Sequence, residues 1–320
     1  MTRVLITGGL GFIGSNFIRF ALEKHPDWEI TNLDNFSETA NPDNVRDIMG
    51  SARYHFAFGD ITDRFLVDML MRRGVDVLIN FGAEPCPDFD SEKASRVIKS
   101  NVDGVHNLIE SAKEFGTRRF IQISTFEVYG PSSPPGGFAE DSPLRPVDLF
   151  AVSKASAELM CSAAVRSDEI PIIITRSSLN YGPYQSPSEF IPRVLRRVLN
   201  GEGIPASPGD FDIYDWIFVL DHCRALDLLI EKGRTGEIYN IGSGDAKTKF
   251  DVAKDVIRIL GKSEELLERE QAYLVATTKY LLNTSKITGE LGFKPACRFS
   301  EAIERTVLWY LERGHLEKKD

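Results

Sequence analysis

The stretch TGGLGFIGS, Thr7 to Ser15, decides how the rest of the chain is read. Gly9, Gly11 and Gly14 give Gly-x-Gly-x-x-Gly, and Gly8, Gly11 and Gly14 give Gly-x-x-Gly-x-x-Gly. Either spacing alone is a weak signal. Here the glycines follow RVLIT (3–7), a run of strand length, and open an amphipathic segment that ends near His25 and Pro26. That setting suits a dinucleotide pyrophosphate. Glycines permit a tight turn, and the helix N-terminus turns unpaired backbone N–H groups toward the anion. Phe12 and Ile13 begin the apolar face of that helix. Asp34 ends the next strand, EITNLD (29–34), at the distance where a carboxylate accepts from adenosine ribose hydroxyls. Such a carboxylate repels a 2′-phosphate, and no arginine follows at once in DNFSE (34–38), so NAD rather than NADP is expected. Asp60 and Ile61, after the third strand, are placed to meet the adenine.

Outward from this loop, two periods alternate. Strands are expected at YHFAFGD (54–60), VDVLINFG (75–82), RRFIQIS (118–124) and IPIIITR (170–176), with helices such as DRFLVDMLMRR (63–73) and NVDGVHNLIESAKEF (101–115) between them. Strands alternating with helices predict an α/β fold, a doubly wound parallel (Rossmann) sheet whose strand ends align on one edge. After residue 176 proline and glycine become frequent, as in NYGPYQSPSEFIP (180–192), and short strands such as EIYNIG (237–242) stand among helices. A cofactor domain over 1–176 and a smaller, less regular substrate domain over 177–320 are expected, with some elements interleaved.

Bulk properties narrow the function. The 320 residues carry a net charge of −9, with 42% hydrophobic and 27% charged residues, which argues against a nucleic-acid surface. The longest apolar runs have strand length, and no secretory leader is legible at the start, so a soluble cytoplasmic protein is expected. The four cysteines are scattered without a Cys-x-x-Cys and the five histidines are dispersed, so neither a disulfide framework nor a metal site is expected. His222 reads as a residue at the start of a helix.

The stretches TGGLGFIGSNF, NLDNFSETANPDNV, GDITD, NFGAE, STFEVYG, NYGPYQSP, DWIFVLDHCRAL, GEIYNIG and ELGFKP together resemble the extended short-chain dehydrogenase/reductases, and within them the dTDP-glucose 4,6-dehydratases. The resemblance covers nearly the whole chain. It implies an NAD-dependent enzyme acting on a nucleotide sugar. In that cycle a tyrosinate takes the proton of the C4 hydroxyl as hydride leaves C4, water is eliminated across C5 and C6, and hydride returns to C6. Carried over, it assigns Thr125, Glu127 and Lys154 to catalysis and adds Asn35, Phe81, Ala83 and Lys154 to the cofactor contacts. Glu84, Cys86, Thr125, Phe126, Glu127, Asn180 and Arg193 are the substrate-facing candidates. The resemblance also implies a homodimer through a four-helix bundle, with Val102, Val105, Leu108 and Ile109 on one helix and Ala155, Leu159 and Ala163 on the other.

The departures cluster around the sugar. In LFAVSK (149–154) the catalytic tyrosine of the family is Phe150, which has no hydroxyl. Either phenylalanine is native there or it replaces a tyrosine. The family's Asp-Glu pair is Phe126-Glu127, so one carboxylic acid is missing. Cys86 and Pro87 stand for a histidine and a valine, Glu189 for a lysine, and Tyr214 for the arginine that contacts the diphosphate. Lys279 is the only cation left in the segment matching a C-terminal arginine cluster. Three readings are open: a dehydratase with altered acid–base groups; an epimerase or oxidoreductase on another sugar or a nucleoside, its phosphate met by Arg193, Arg196 or Arg197; or an NAD-binding relative with little catalysis. Cys86 is a candidate substitute acid, and Tyr129, Tyr181 and Tyr184 are candidate substitute hydroxyls.

Overall fold

The computed structural model describes residues 1–85, 91–168, 170–268 and 277–313. Its first half runs β1 (Thr2–Thr7), α1 (Phe12–Lys24), β2 (Trp28–Asp34), β3 (Tyr54–Phe58), α2 (Arg64–Met71), β4 (Val77–Asn80), α3 (Ser91–Ile98), α4 (Val105–Phe115), β5 (Arg119–Thr125), α5 (Leu149–Asp168) and β6 (Ile172–Ser177). The second half runs β7 (Leu179–Tyr181), α6 (Phe190–Leu199), β8 (Ile204–Pro205), β9 (Ile213–Phe218), α7 (Val219–Lys232), β10 (Ile238–Ile241), β11 (Ala246–Thr248), α8 (Lys249–Ile259), β12 (Leu267–Glu268), β13 (Lys279–Tyr280), α9 (Ser285–Leu291) and α10 (Phe299–Arg313).

The main sheet has seven strands in the order β10-β6-β5-β4-β1-β2-β3, every neighbouring pair parallel. Side chains alternate across it, as the two-residue strand period requires. Val4, Ile6, Ile79 and Ile121 pack against Phe17 and Ile18 of α1 and Leu226 and Leu229 of α7. Leu5, Leu78, Phe120 and Ile172 face the other way onto α2, α4 and α5. The chain reverses its winding between β1 and β4, so the cleft for a nucleotide opens at the carboxyl ends of those strands.

EIYNIG, expected among the short strands of the smaller part, instead supplies β10, the outer parallel strand beside β6. Tyr239 and Ile241 are fully buried, and that burial, absent from local sequence, draws the strand to the large sheet. The segment 101–115, expected as one helix, begins with a wide π turn over Lys99–Gly104 before α4. A third core, with Tyr181, Leu195, Trp216, Val252 and Tyr310, lies under a second sheet that joins β7, β9, β11 and β13. Among the described residues no helix is long and apolar enough to cross a membrane.

Candidate active site

The glycine loop sits on a polar ladder that no apolar pattern reveals. Thr7 donates to Asn80 Oδ1 at 2.5 Å, Asn80 donates to Gln122 Oε1 at 2.9 Å, and Asn32 Oδ1 accepts from Gly9 N–H at 3.0 Å. These buried side chains hold the ends of β1, β2, β4 and β5 level. Gly8 has φ +71°, and a Cβ there would lie 2.6 Å from Gly82 N. A Cβ on Gly14 would lie 2.5 Å from Gly8 O. Only glycine allows the turn to close this tightly. Gly11 is the N-cap of α1 and no side chain caps that end, so its first N–H groups face the cleft.

The cleft measures about 520 Å³, is open to solvent, and includes Gly8, Gly11, Asp34, Asn35, Asp60 and Ile61 in its lining. Phe81, Ala83 and Glu84 line its far side. Phe12 and Ile13 are half-buried and pack onto the third core instead of lining the cleft. Asp34 accepts from Leu10 N–H and Phe36 N–H, both at 3.0 Å. Burial pushes its carboxyl above the usual range, against those backbone donors. Asp60 is also burdened by burial, but the Thr62 N–H and the Asn35 amide outweigh it and leave its carboxyl below the usual range. The uncapped helix end, the glycine cradle and the acidic residue at the end of β2 together fit a dinucleotide.

Next to this cleft, Thr125 ends β5 and caps the following 3₁₀ turn. Its hydroxyl donates to Glu127 Oε2 at 3.0 Å and accepts from Glu127 N–H at 3.3 Å. Burial raises the Glu127 carboxyl, with the Thr125 hydrogen bond opposing. Helix α5 packs on β5 and on this turn. Lys154 lies on α5, is 5% exposed, and makes no hydrogen bond or ion pair among the described residues. Burial lowers its ammonium to about 8, while the Glu158 charge pulls the other way. Phe150 stands one turn before Lys154, so both occupy one helix face.

Asn101 was not singled out by its sequence context. Its Oδ1 accepts from Glu84 N–H at 2.7 Å, and its Nδ2 donates to Glu84 O at 3.0 Å and to Ser153 Oγ at 2.9 Å. It ties the loop after β4 to the helix that carries Lys154. A second unforeseen group is the buried pair Arg176–Glu158 at 2.6 Å, extended by Arg176 to the Tyr129 hydroxyl at 2.8 Å and from there to Asn240 at 2.7 Å. Only the fold brings those partners together.

Other expected residues fall elsewhere. Cys86 and Pro87 lie outside the described residues. The Asn180 side chain is committed inward: its Oδ1 accepts from His222 Nδ1 at 2.8 Å, and its Nδ2 donates to Ser177 and Ser178. His222 is fully buried in the first turn of α7, and burial lowers it to about 3, so it stays neutral and donates from Nδ1. Arg193 is exposed on α6, and Arg197 donates to Gly203 O at 2.7 Å. None of the three tyrosines offers an idle hydroxyl near Lys154. Tyr129 is locked in the Arg176 network and burial pushes it up to about 12, Tyr181 is sealed in the third core, and Tyr184 accepts from Arg313. Val105, Leu108 and Ile109 pack inside this chain against the sheet, so they are not a free face, whereas Val152, Leu159 and Ala163 of α5 are exposed. His25, Asp227 and Glu231 lie close enough to share an ion, but the Lys24 ammonium already contacts Asp227.

Phe126 is buried. It meets Tyr214 and Tyr280 edge-on at 6.2 and 5.8 Å between centroids. Tyr214 and Tyr280 are register partners on β9 and β13, and their rings stack at 5.0 Å with 4° between planes.

An uncapped helix end over a glycine cradle at the carboxyl ends of parallel strands, with an acidic residue closing β2, defines a dinucleotide-binding protein of the Rossmann class. The chain belongs to the NAD dependent epimerase/dehydratase family, whose model matches residues 4–242. It is 36% identical over 308 residues to the low-salt glycan biosynthesis protein Agl12 of Haloferax volcanii, covering 96% of this chain and 98% of that protein. It is 35% identical over 312 residues to a dTDP-glucose 4,6-dehydratase of Streptomyces niveus, covering 96% and 92%. The solved dTDP-glucose 4,6-dehydratase of Bacillus anthracis in complex with NAD superposes with a TM-score of 0.90 at 34% identity, covering 98% of this chain and 97% of that one. NAD is the cofactor of the family, as the sequence analysis expected.

Proposed function

We propose that this protein converts a nucleoside-diphosphate sugar by transient oxidation at C4, in the manner of a 4,6-dehydratase with altered acid–base groups. The observation that carries this reading is the Thr125–Glu127 hydrogen bond at the end of β5, beside the helix that carries Lys154. Bound NAD supplies a hydride acceptor and later a hydride donor. Residues 177–268 and 277–313, less the elements that return to the large sheet, close over the sugar.

Each proton needs an owner. When hydride leaves C4, the C4 hydroxyl loses its proton. With Phe150 in place no phenol takes it; the free lone pair of Thr125 accepts it as the threonine's own proton passes to Glu127, which releases it to solvent water before the elimination. Glu127, kept partly protonatable by burial, takes the C5 proton as hydroxide leaves C6. No carboxylic acid stands at Phe126, so the proton released from the C4 hydroxyl, carried by solvent, neutralises that hydroxide to water. Return of hydride to C6 and of a proton to C5 gives a 4-keto-6-deoxy sugar, with one water lost overall. Lys154 holds the nicotinamide ribose, and Asn101 positions Glu84 and α5 around it.

Epimerisation at C4 is the second reading, favoured by Phe126. Taking hydride and proton from C4 and returning both needs a single proton acceptor, which the Thr125–Glu127 pair provides without a separate acid. Incubation in D₂O with NAD and a panel of nucleotide sugars separates the two. A 4-keto product deuterated at C5 supports dehydration, and a C4 epimer with no keto sugar supports the second reading. If no sugar turns over, even with Phe150→Tyr, while NAD still binds, both fail and the protein is a non-catalytic relative. We also assign the exposed α5 face, Val152, Leu159 and Ala163, to a homodimer contact.

A further inference from the structure

Glu158 stands four residues after Lys154 on α5. On a helix that spacing puts the two side chains on one face, where an ammonium and a carboxylate ordinarily pair. Both are buried, so each has reason to seek the other. The Glu158 charge is felt at Lys154. Yet among the described residues Lys154 has neither an ion pair nor a hydrogen bond.

The carboxylate is engaged elsewhere. Arg176, near the end of β6, lays its guanidinium along it: Nε lies 3.2 Å from Oε1 and 3.0 Å from Oε2, and Nη2 lies 2.6 Å from Oε2. Both oxygens of Glu158 are therefore taken. The other arm of the fork is anchored as firmly. Nη1 donates to the Tyr129 hydroxyl at 2.8 Å and to the Glu140 carbonyl oxygen at 3.0 Å. The guanidinium carbon lies 4.6 Å from the centroid of the Tyr129 ring, whose other contacts are Phe138, stacked at 4.9 Å, and Asn240 Oδ1, which accepts from its hydroxyl at 2.7 Å. A planar fork fixed at both ends keeps one orientation, and Glu158 keeps it too. Stability alone does not call for charges here, since apolar residues in place of a buried ion pair serve a fold about as well.

We propose that Arg176 is a positioning residue for the dinucleotide: by occupying both oxygens of Glu158 it leaves the Lys154 ammonium unpaired and free to donate to the ribose hydroxyls at the nicotinamide end. The assignment rests on the reading above in which Lys154 holds that ribose. Without the guanidinium, Glu158 turns to the cation one helical turn away and withdraws it from the cleft. Arg176 touches neither cofactor nor substrate and acts only through Glu158.

The test is a double-mutant cycle on the full chain, with NAD affinity read by fluorescence titration. Arg176→Lys keeps a cation opposite Glu158, so the fold is retained, but a single ammonium cannot span both oxygens. It should weaken NAD binding about tenfold, within the range that coupled neighbours show. Adding Glu158→Gln should restore the affinity, because the amide has no charge to draw Lys154 away. In a Lys154→Met background, Arg176→Lys should cause no further loss. An Arg176→Lys protein that binds NAD as the parent does overturns the proposal. So does an equal loss in the Lys154→Met background, which would make Arg176 a general support of the fold. If Lys154→Met itself binds NAD as the parent does, the ribose reading has failed and takes this assignment with it.

Discussion

The hydroxyl of Thr125 donates to Glu127 Oε2 over 3.0 Å, and the backbone N–H of Glu127 returns a bond to the same hydroxyl. Two residues apart in sequence, they form a closed unit at the end of β5. Burial lifts the Glu127 carboxyl above its ordinary range. A base of that kind works at higher pH than a free glutamate. Glu127→Gln should lower turnover by about 10²- to 10⁴-fold and abolish the acid limb of the pH–rate profile. The same burial disfavours the charged form in the folded state. The stability it withholds is absent below the unfolded pKa and grows as pH rises through the raised folded value. Glu127→Gln should therefore raise Tm near pH 7 and lose that advantage in acid, as scanning calorimetry at two pH values would show.

Phe150 removes the phenol from the helix face that Lys154 shares. Phe150→Tyr should raise turnover by about 10²- to 10⁴-fold, measured as 4-keto product or epimer, with NAD affinity little changed. A smaller gain than tenfold would mean that the proton path no longer runs through this position.

Lys154 titrates near 8 because burial disfavours its charge. It is an ammonium below that value and a neutral amine above it. If it holds the nicotinamide ribose, NAD should bind progressively more weakly as pH rises through about 8, and Lys154→Met should bind weakly with no such dependence. Fluorescence titration of NAD across that range is the measurement.

The glycine cradle predicts a steric result. A Cβ on Gly14 would lie 2.5 Å from the Gly8 carbonyl oxygen, a backbone atom that cannot turn aside. Gly14→Ala should cost about 1–3 kcal/mol of stability and weaken NAD binding at least as much, while Gly11→Ala, whose nearest such contact is 3.3 Å, should be milder. Urea unfolding with and without NAD separates the two effects.

Arg176 and Glu158 are both nearly inaccessible and meet at 2.6 Å. Arg176→Met leaves a buried carboxylate unpaired and should cost about 3–5 kcal/mol in urea unfolding, whereas Arg176→Met with Glu158→Met should recover most of it. On the outer face of the same helix, Leu159 is 60% exposed. Leu159→Arg should convert a dimer to a monomer in sedimentation if that face is the contact, with the fold unchanged.

The large sheet was legible because its signals are local: apolar runs of strand length, helical spacing between them, and a glycine loop at the first turn. Of the residues expected at the cofactor end, Gly8, Gly11, Asp34, Asn35, Asp60 and Ile61 line one cleft. The placement of EIYNIG was missed because its short apolar run is equally at home in either sheet, and only packing against β6 decides. Three of the four apolar positions assigned to a dimer on the helix before residue 115 face inward, since Val105, Leu108 and Ile109 turn toward their own sheet. The hydrogen bond from His222 Nδ1 to Asn180 Oδ1, 42 residues apart, was not legible in the sequence.

By itself the sequence determined the parallel α/β architecture and the position of the dinucleotide loop, because each depends on residues adjacent or periodically spaced along the chain. The tertiary structure alone decided which side chains meet: Asn101 clasping Glu84 and Ser153, the Arg176–Glu158 pair, and Tyr214 stacked on Tyr280 beneath Lys249. The physical reason is range. Backbone propensity and apolar periodicity act over a few residues, whereas hydrogen bonds, buried charges and ring contacts act across space between segments whose separation along the chain carries no information about their meeting.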